Sequence, residues 1–178
     1  MLLNVLLCAT LTRAQDNTLT VGPTQGALII VGGGKVGPDI WARFIELAGG
    51  EGANIVVIPT ANEDASIATG VSVEKDLLQR LGVDNVTILH TRDRKQADDP
   101  GFVAALRKAT GIWFTGGRHW RLADSYLNTL AHREFKALLA RGGVIAGTSA
   151  GATIQGSFMV RGDTKGNTLM IGDHVEGL

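Results

Sequence analysis

The residues best suited to chemistry in this chain lie in Gly147-Thr148-Ser149-Ala150-Gly151. The pentapeptide fits G-x-S-x-G, where a serine on a sharp strand-to-helix turn holds its hydroxyl out at the end of a sheet. The apolar run Val144-Ile145-Ala146 precedes it and small residues follow, so a strand leads in and a helix can lead out. Glycine tolerates the tight backbone, and Ala150 leaves a main-chain N–H open to a substrate carbonyl, as acyl transfer requires. Ser149 is therefore the candidate nucleophile. The alternative is a glycine-rich turn whose serine is structural or only binds an anion.

A second constellation is Gly116-Gly117-Arg118-His119-Trp120, directly after the apolar run Ile112-Trp113-Phe114. A glycine pair at a strand end can present an N–H without side-chain obstruction, as an oxyanion hole needs. His119 has the chemistry to bond a substrate or act as a base; it is equally a solvated histidine in the first turn of a helix. A serine nucleophile needs a base within hydrogen-bonding reach. The histidines are His90, His119, His132 and His174. His132 sits among charges and reads as a surface residue, His90 ends a strand, and His174 lies near the end of the sequence. The residues thus identify a nucleophile and leave its base open.

Gly32-Gly33-Gly34-Lys35-Val36-Gly37 satisfies the spacing of a dinucleotide-binding turn. That fingerprint also needs an acid at the end of the next strand. Here the next strand ends in Pro59-Thr60-Ala61-Asn62, with Glu63 and Asp64 only beyond it, so no cofactor is expected. A dinucleotide-binding oxidoreductase ranks below the other readings.

The elements that must position these residues alternate. Strands are expected at 26–31, 53–58, 86–89, 111–115 and 144–146. Helical spacing covers 38–48, 73–81, 100–109, 122–130 and 133–140. Near-continuous apolar strands separated by helices predict an α/β fold, a mostly parallel sheet covered by helices on both faces. Trp113 and Phe114 belong to its core. Sites in such sheets gather beyond the carboxyl ends of the strands. The glycine stops after Val31, after Thr115 and at Ser149 therefore face one crevice.

Bulk composition narrows the partners. The 178 residues suit one domain, and 17 basic against 17 acidic side chains give no net charge to favour nucleic acid or an acidic membrane. Residues 1–14 read as a signal peptide with a Thr12-Arg13-Ala14 cleavage site, too short to span a membrane, followed by a polar linker over 15–25. A secreted or periplasmic location follows from that reading. Cys8 is the single cysteine and lies inside the leader, so cleavage leaves no thiol for catalysis, metal binding or a disulfide.

Gly-Ala-Leu-Ile-Ile-Val-Gly-Gly-Gly at 26–34, Val-Ile-Pro-Thr-Ala at 57–61, Gly-Ile-Trp-Phe-Thr-Gly-Gly at 111–117 and Gly-Thr-Ser-Ala-Gly-Ala at 147–152 occur in this order. Together they resemble the cyanophycinase and dipeptidase E group of serine peptidases, over residues 26–178. The resemblance implies a class I glutamine amidotransferase-like, flavodoxin-like three-layer fold. It implies Ser149 as nucleophile, the N–H groups of Gly117 and Ala150 as oxyanion hole, and His119 with Arg118 at the substrate pocket. The implied substrates are aspartyl peptides or isopeptides, including the arginine-decorated polyaspartate polymer that yields β-Asp-Arg dipeptides. No cofactor or metal is implied, and a homodimer is an open assembly state.

Two departures stand out. The family's catalytic histidine lies in an Asp-Gln-His segment well past the serine, beyond Leu178. The family's acid falls near Lys165–Asn167, where Asp163 is the nearest carboxylate. The resemblance therefore implies a domain incomplete at its C-terminus, with a sheet edge left exposed, or a degenerate member. A catalytically inactive binding or scaffold domain is the alternative from another class, and polymer recognition has only Glu63, Asp64 and Asp124 to draw on.

Overall fold

A computed structural model of the protein describes residues 22–162, 169–170 and 175–178. The leader at 1–14, most of the polar stretch, Asp163, Lys165–Asn167 and His174 lie outside the described residues. Five strands form the main sheet: β1 (Ala27–Val31), β2 (Asn54–Ile58), β3 (Asn85–Ile88), β4 (Gly111–Phe114) and β5 (Val144–Thr148). Their order is β1-β5-β4-β2-β3, and every neighbouring pair is parallel. The helices are α1 (Pro38–Leu47), α2 (Asp64–Ala68), α3 (Val73–Arg80), α4 (Arg94–Ala97), α5 (Ala104–Lys108), α6 (His119–Tyr126), α7 (Leu130–Ala140) and α8 (Ala150–Thr153). A short antiparallel pair, β6 (Arg161–Gly162) with β7 (Leu169–Met170), stands apart and has no forerunner in the sequence pattern.

The three layers follow from the strand sequences. Alternate residues point to opposite faces, and in β2 both faces are apolar: Ile55 and Val57 enter one core, Val56 and Ile58 the other, all at 0 % exposure. One core collects Trp41 and Phe44 of α1, Leu78 of α3 and Trp113. There Trp113 stacks on Trp41 with ring centroids 4.0 Å apart. The opposite core holds Phe114, Leu106, Leu122, Tyr126, Phe135 and Leu138 from β4, α5, α6 and α7. Both Trp113 and Phe114 are core residues, as expected.

Local differences from the sequence reading have identifiable causes. The segment 100–109 is helical only from Ala104, because Asp99 Oδ1 accepts the N–H groups of Gly101 (2.8 Å) and Phe102 (2.9 Å) and curls the chain first. A single helix over 122–130 does not form either. Asn128 takes a positive φ of 60°, and Thr129 and Asp98 cap a new helix by accepting the N–H groups of His132 and Leu130. At the sheet margin, β1 is an edge strand whose Ile30 is 64 % exposed.

Candidate active site

β5 delivers the chain to the carboxyl edge of the sheet between β1 and β4, and there it turns sharply into α8. Ser149 sits at the turn with φ 53° and ψ −110°, a region costly for a residue with a Cβ, by about 1–3 kcal/mol. The surroundings hold it there. Its N–H extends the β1 ladder by donating to Val31 O (2.9 Å), and its carbonyl accepts from Ala152 N (3.0 Å), Thr153 N (2.9 Å) and Thr153 Oγ1 (3.1 Å). Both glycines of the motif are sterically required: a Cβ on Gly147 would overlap the Gly151 carbonyl, and one on Gly151 would overlap the Phe114 carbonyl. Ser149 itself is exposed.

The glycine pair after β4 lies beside it. A Cβ added at Gly116 would stand 3.6 Å from Ser149 Cβ, so the two turns touch. Gly117 has φ +132°, and a Cβ there would overlap the Ala61 carbonyl in the turn after β2. Gly117 N–H has no carbonyl partner among the described residues. Nor has Ala150 N–H, which as the first residue of α8 has no partner within its own helix. The candidate nucleophile and the two candidate main-chain donors thus lie together beyond the ends of β4 and β5, and neither N–H has a partner among the described residues.

The histidines are placed otherwise. His119 opens α6, and its Nε2 donates to Val160 O at 2.7 Å, so the ring ties α6 to the segment before β6. Arg118, the exposed residue before it, donates its N–H to Ala61 O at 2.8 Å. His132 is buried, not on the surface. Its Nδ1 accepts Asn128 N–H at 3.0 Å, its Nε2 has no partner, and burial beside Lys136 and Arg133 pushes its pKa down to about 4. Among the described residues no imidazole bonds to Ser149 Oγ.

His90 belongs to a polar network that sequence reasoning missed. Its Nδ1 lies 2.9 Å from Thr60 Oγ1, which lies 2.7 Å from Tyr126 OH, which accepts Thr91 N–H at 3.2 Å. With His90 neutral every proton has an acceptor: Thr91 N–H to Tyr126, Tyr126 O–H to Thr60, Thr60 O–H to His90 Nδ1. Burial, then the Arg92 charge, holds the His90 pKa below the ordinary imidazole value, and burial raises that of Tyr126. Arg92 also donates to Asn62 O (2.8 Å) and pairs with Asp64 (2.6 Å), so that acid is engaged. The visible signal was slight: a turn after β2 and a chain with a single tyrosine.

The dinucleotide reading loses ground here. Its third glycine should permit close helix–strand packing, yet added Cβ atoms at Gly32, Gly33, Gly34 and Gly37 meet open space. Among the described residues no group of three or more His, Cys, Asp or Glu side chains is arranged to hold a metal. No described helix is long and apolar enough to cross a membrane.

Residues 28–178 match peptidase family S51. The chain belongs to that family. It is 33 % identical over 150 residues to a cyanophycinase of Nostoc sp. (strain PCC 7120), covering 82 % of this chain and 49 % of the relative. The cyanophycinase of Geminocystis herdmanii is 31 % identical over 148 residues, covering 81 % and 54 %. The chain therefore spans about half the length of the curated relatives it matches. Among solved structures, a peptidase from an acI-B1 actinobacterium superposes with a TM-score of 0.67 at 28 % identity, over 83 % of this S51 chain and 64 % of that one. A peptidase E-type protein of Listeria monocytogenes EGD-e gives 0.56 at 25 % identity, over 76 % and 63 %. Both agree with the parallel three-layer architecture of this S51 member.

Proposed function

We propose that this S51 chain carries the nucleophile and oxyanion hole of a serine peptidase acting on aspartyl peptide or isopeptide bonds. Ser149 Oγ attacks the amide carbonyl carbon while a base takes its proton. The oxyanion that forms is received by Gly117 N–H and Ala150 N–H. Collapse of the tetrahedral intermediate breaks the C–N bond, the amine leaves with a proton, and water then releases the acyl group from Ser149. The base remains unassigned among the described residues, since His90, His119 and His132 are bonded elsewhere.

One observation carries the reading: a serine held at φ 53° between two glycines that admit no side chain. A merely structural serine gains nothing from that conformation, and strain of this kind gathers at functional sites. The aspartyl substrate rests on the similarity to cyanophycinases. Secretion rests on the leader-like residues 1–14 alone, and N-terminal sequencing of protein exported from a host cell tests it.

A fluorophosphonate probe tests the nucleophile. We expect it to modify Ser149 in the intact chain, as read by mass spectrometry of the peptide, and to leave Ser149→Ala untouched. Hydrolysis of β-Asp-Arg polymer or Asp-X dipeptides by the wild type, absent in S149A, tests the substrate. A folded wild type that neither labels nor hydrolyses would favour an inactive binding domain of the same fold.

A further inference from the structure

The Ala61 carbonyl is where the candidate oxyanion loop meets the rest of the sheet edge. Three groups converge on it. Gly117 packs so close that a Cβ would overlap it, Arg118 N–H donates to it at 2.8 Å, and Arg121 Nη1 donates to it at 3.2 Å. The turn bearing this carbonyl is already pinned on its far side. Thr60 is tied to His90 and Tyr126, Asn62 N–H donates to Pro59 O (2.8 Å), and Asn62 O accepts from Arg92 (2.8 Å). Arg118 N–H already joins this turn to the entry of α6, and Arg121, from the first turn of that helix, adds a second donor to the same carbonyl. Its guanidinium also lies 5.4 Å from the centroid of the Trp120 ring, which limits its swing.

We propose that Arg121 is a positioning residue for the oxyanion hole. By holding Ala61 O against the Gly117–Arg118 peptide, it keeps Gly117 N–H aimed at the site beside Ser149. The inference rests on the serine peptidase reading above. Arg121 touches neither substrate nor nucleophile in this role; it acts through Ala61 and Gly117. Its removal leaves Ala61 O with the Arg118 N–H, so the carbonyl is not orphaned and the fold has no large penalty to bear. A donor displaced by a fraction of an ångström nonetheless loses much of its effect on a transition state.

The test compares wild type, Arg121→Met and Arg121→Lys in the full chain, using the second-order rate of fluorophosphonate labelling at Ser149 with the urea midpoint of each protein. R121M is expected to label about 10- to 100-fold more slowly at an unchanged midpoint. R121K, which can still reach Ala61 O with one donor, recovers much of the rate. Where turnover is measurable, kcat falls and KM stays. No labelling of wild-type Ser149 removes the peptidase reading and this inference with it. Labelling of R121M at the wild-type rate overturns the inference alone. Should R121M fail to fold, Arg121→Gln, whose shorter side chain cannot reach Ala61 O, replaces it: a slowed rate at an unchanged midpoint supports positioning, and a wild-type rate overturns the proposal.

Discussion

Substituting Ser149 by glycine and, separately, by alanine measures how much strain the turn stores. Alanine keeps the Cβ that makes φ 53°, ψ −110° costly; glycine removes it. Taking the strain as about 2 kcal/mol from the usual 1–3, S149G recovers that amount relative to S149A. Glycine gives back about 0.4–1 kcal/mol through its freer unfolded chain. The net is about 1 kcal/mol in favour of glycine, or about 2–4 °C in Tm for a domain of this size. Because Ser149 is exposed, loss of its hydroxyl removes little packing and barely perturbs the comparison. At ordinary helix or strand positions the order is reversed, with glycine about 0.5–1 kcal/mol below alanine. Urea titrations of the two variants, both inert to fluorophosphonate, decide it. S149G equal to or less stable than S149A would refute the strain argument and remove the main support for Ser149 as a nucleophile.

Gly117→Ala forces a Cβ into the Ala61 carbonyl at φ +132°. We expect labelling of Ser149 to fall about 10²-fold, with a stability loss of about 1–3 kcal/mol in urea. Thr60→Val strands the Tyr126 O–H and empties His90 Nδ1. It should cost about 1–3 kcal/mol, and a cycle with Tyr126→Phe should show coupling above about 0.5 kcal/mol; additive costs would break the proton-chain assignment. His132, with its pKa pushed to about 4 by burial and by Lys136 and Arg133, is neutral in the folded protein. Its contribution is complete above the unfolded value near 6.5 and is lost as pH falls from there toward 4. After allowance for solvent screening we expect about 1–2 kcal/mol lost over that window, and a flatter pH profile in His132→Gln. An imidazole NMR titration near 6.5 for His132 would contradict this.

The sheet and its covering helices were legible because β2, β4 and β5 are apolar on both faces, which a chain can satisfy only between two layers. Ser149 was legible because a serine between obligatory small residues leaves a short-range pattern. His132 misled because its charged neighbours Arg133 and Lys136 suggest surface, whereas the Asn128 turn folds back to use its ring. The ends of α5 and α6 were misplaced for a similar reason. Asp99 and Thr129 redirect the backbone through local hydrogen bonds that outweigh apolar periodicity over a few residues.

By itself the sequence determined which residues can turn tightly and which must be buried, since backbone freedom and apolarity belong to each residue alone. It thereby located the candidate nucleophile and the glycine pair. Only the tertiary structure decided what each polar group faces. Parallel strands far apart in sequence end side by side, so Gly117 meets Ala61, Arg121 reaches across to the same carbonyl, and His90 joins Thr60 and Tyr126. The hydrogen bonds among them span 30 to 66 residues of chain, a separation over which no local pattern can register a partner.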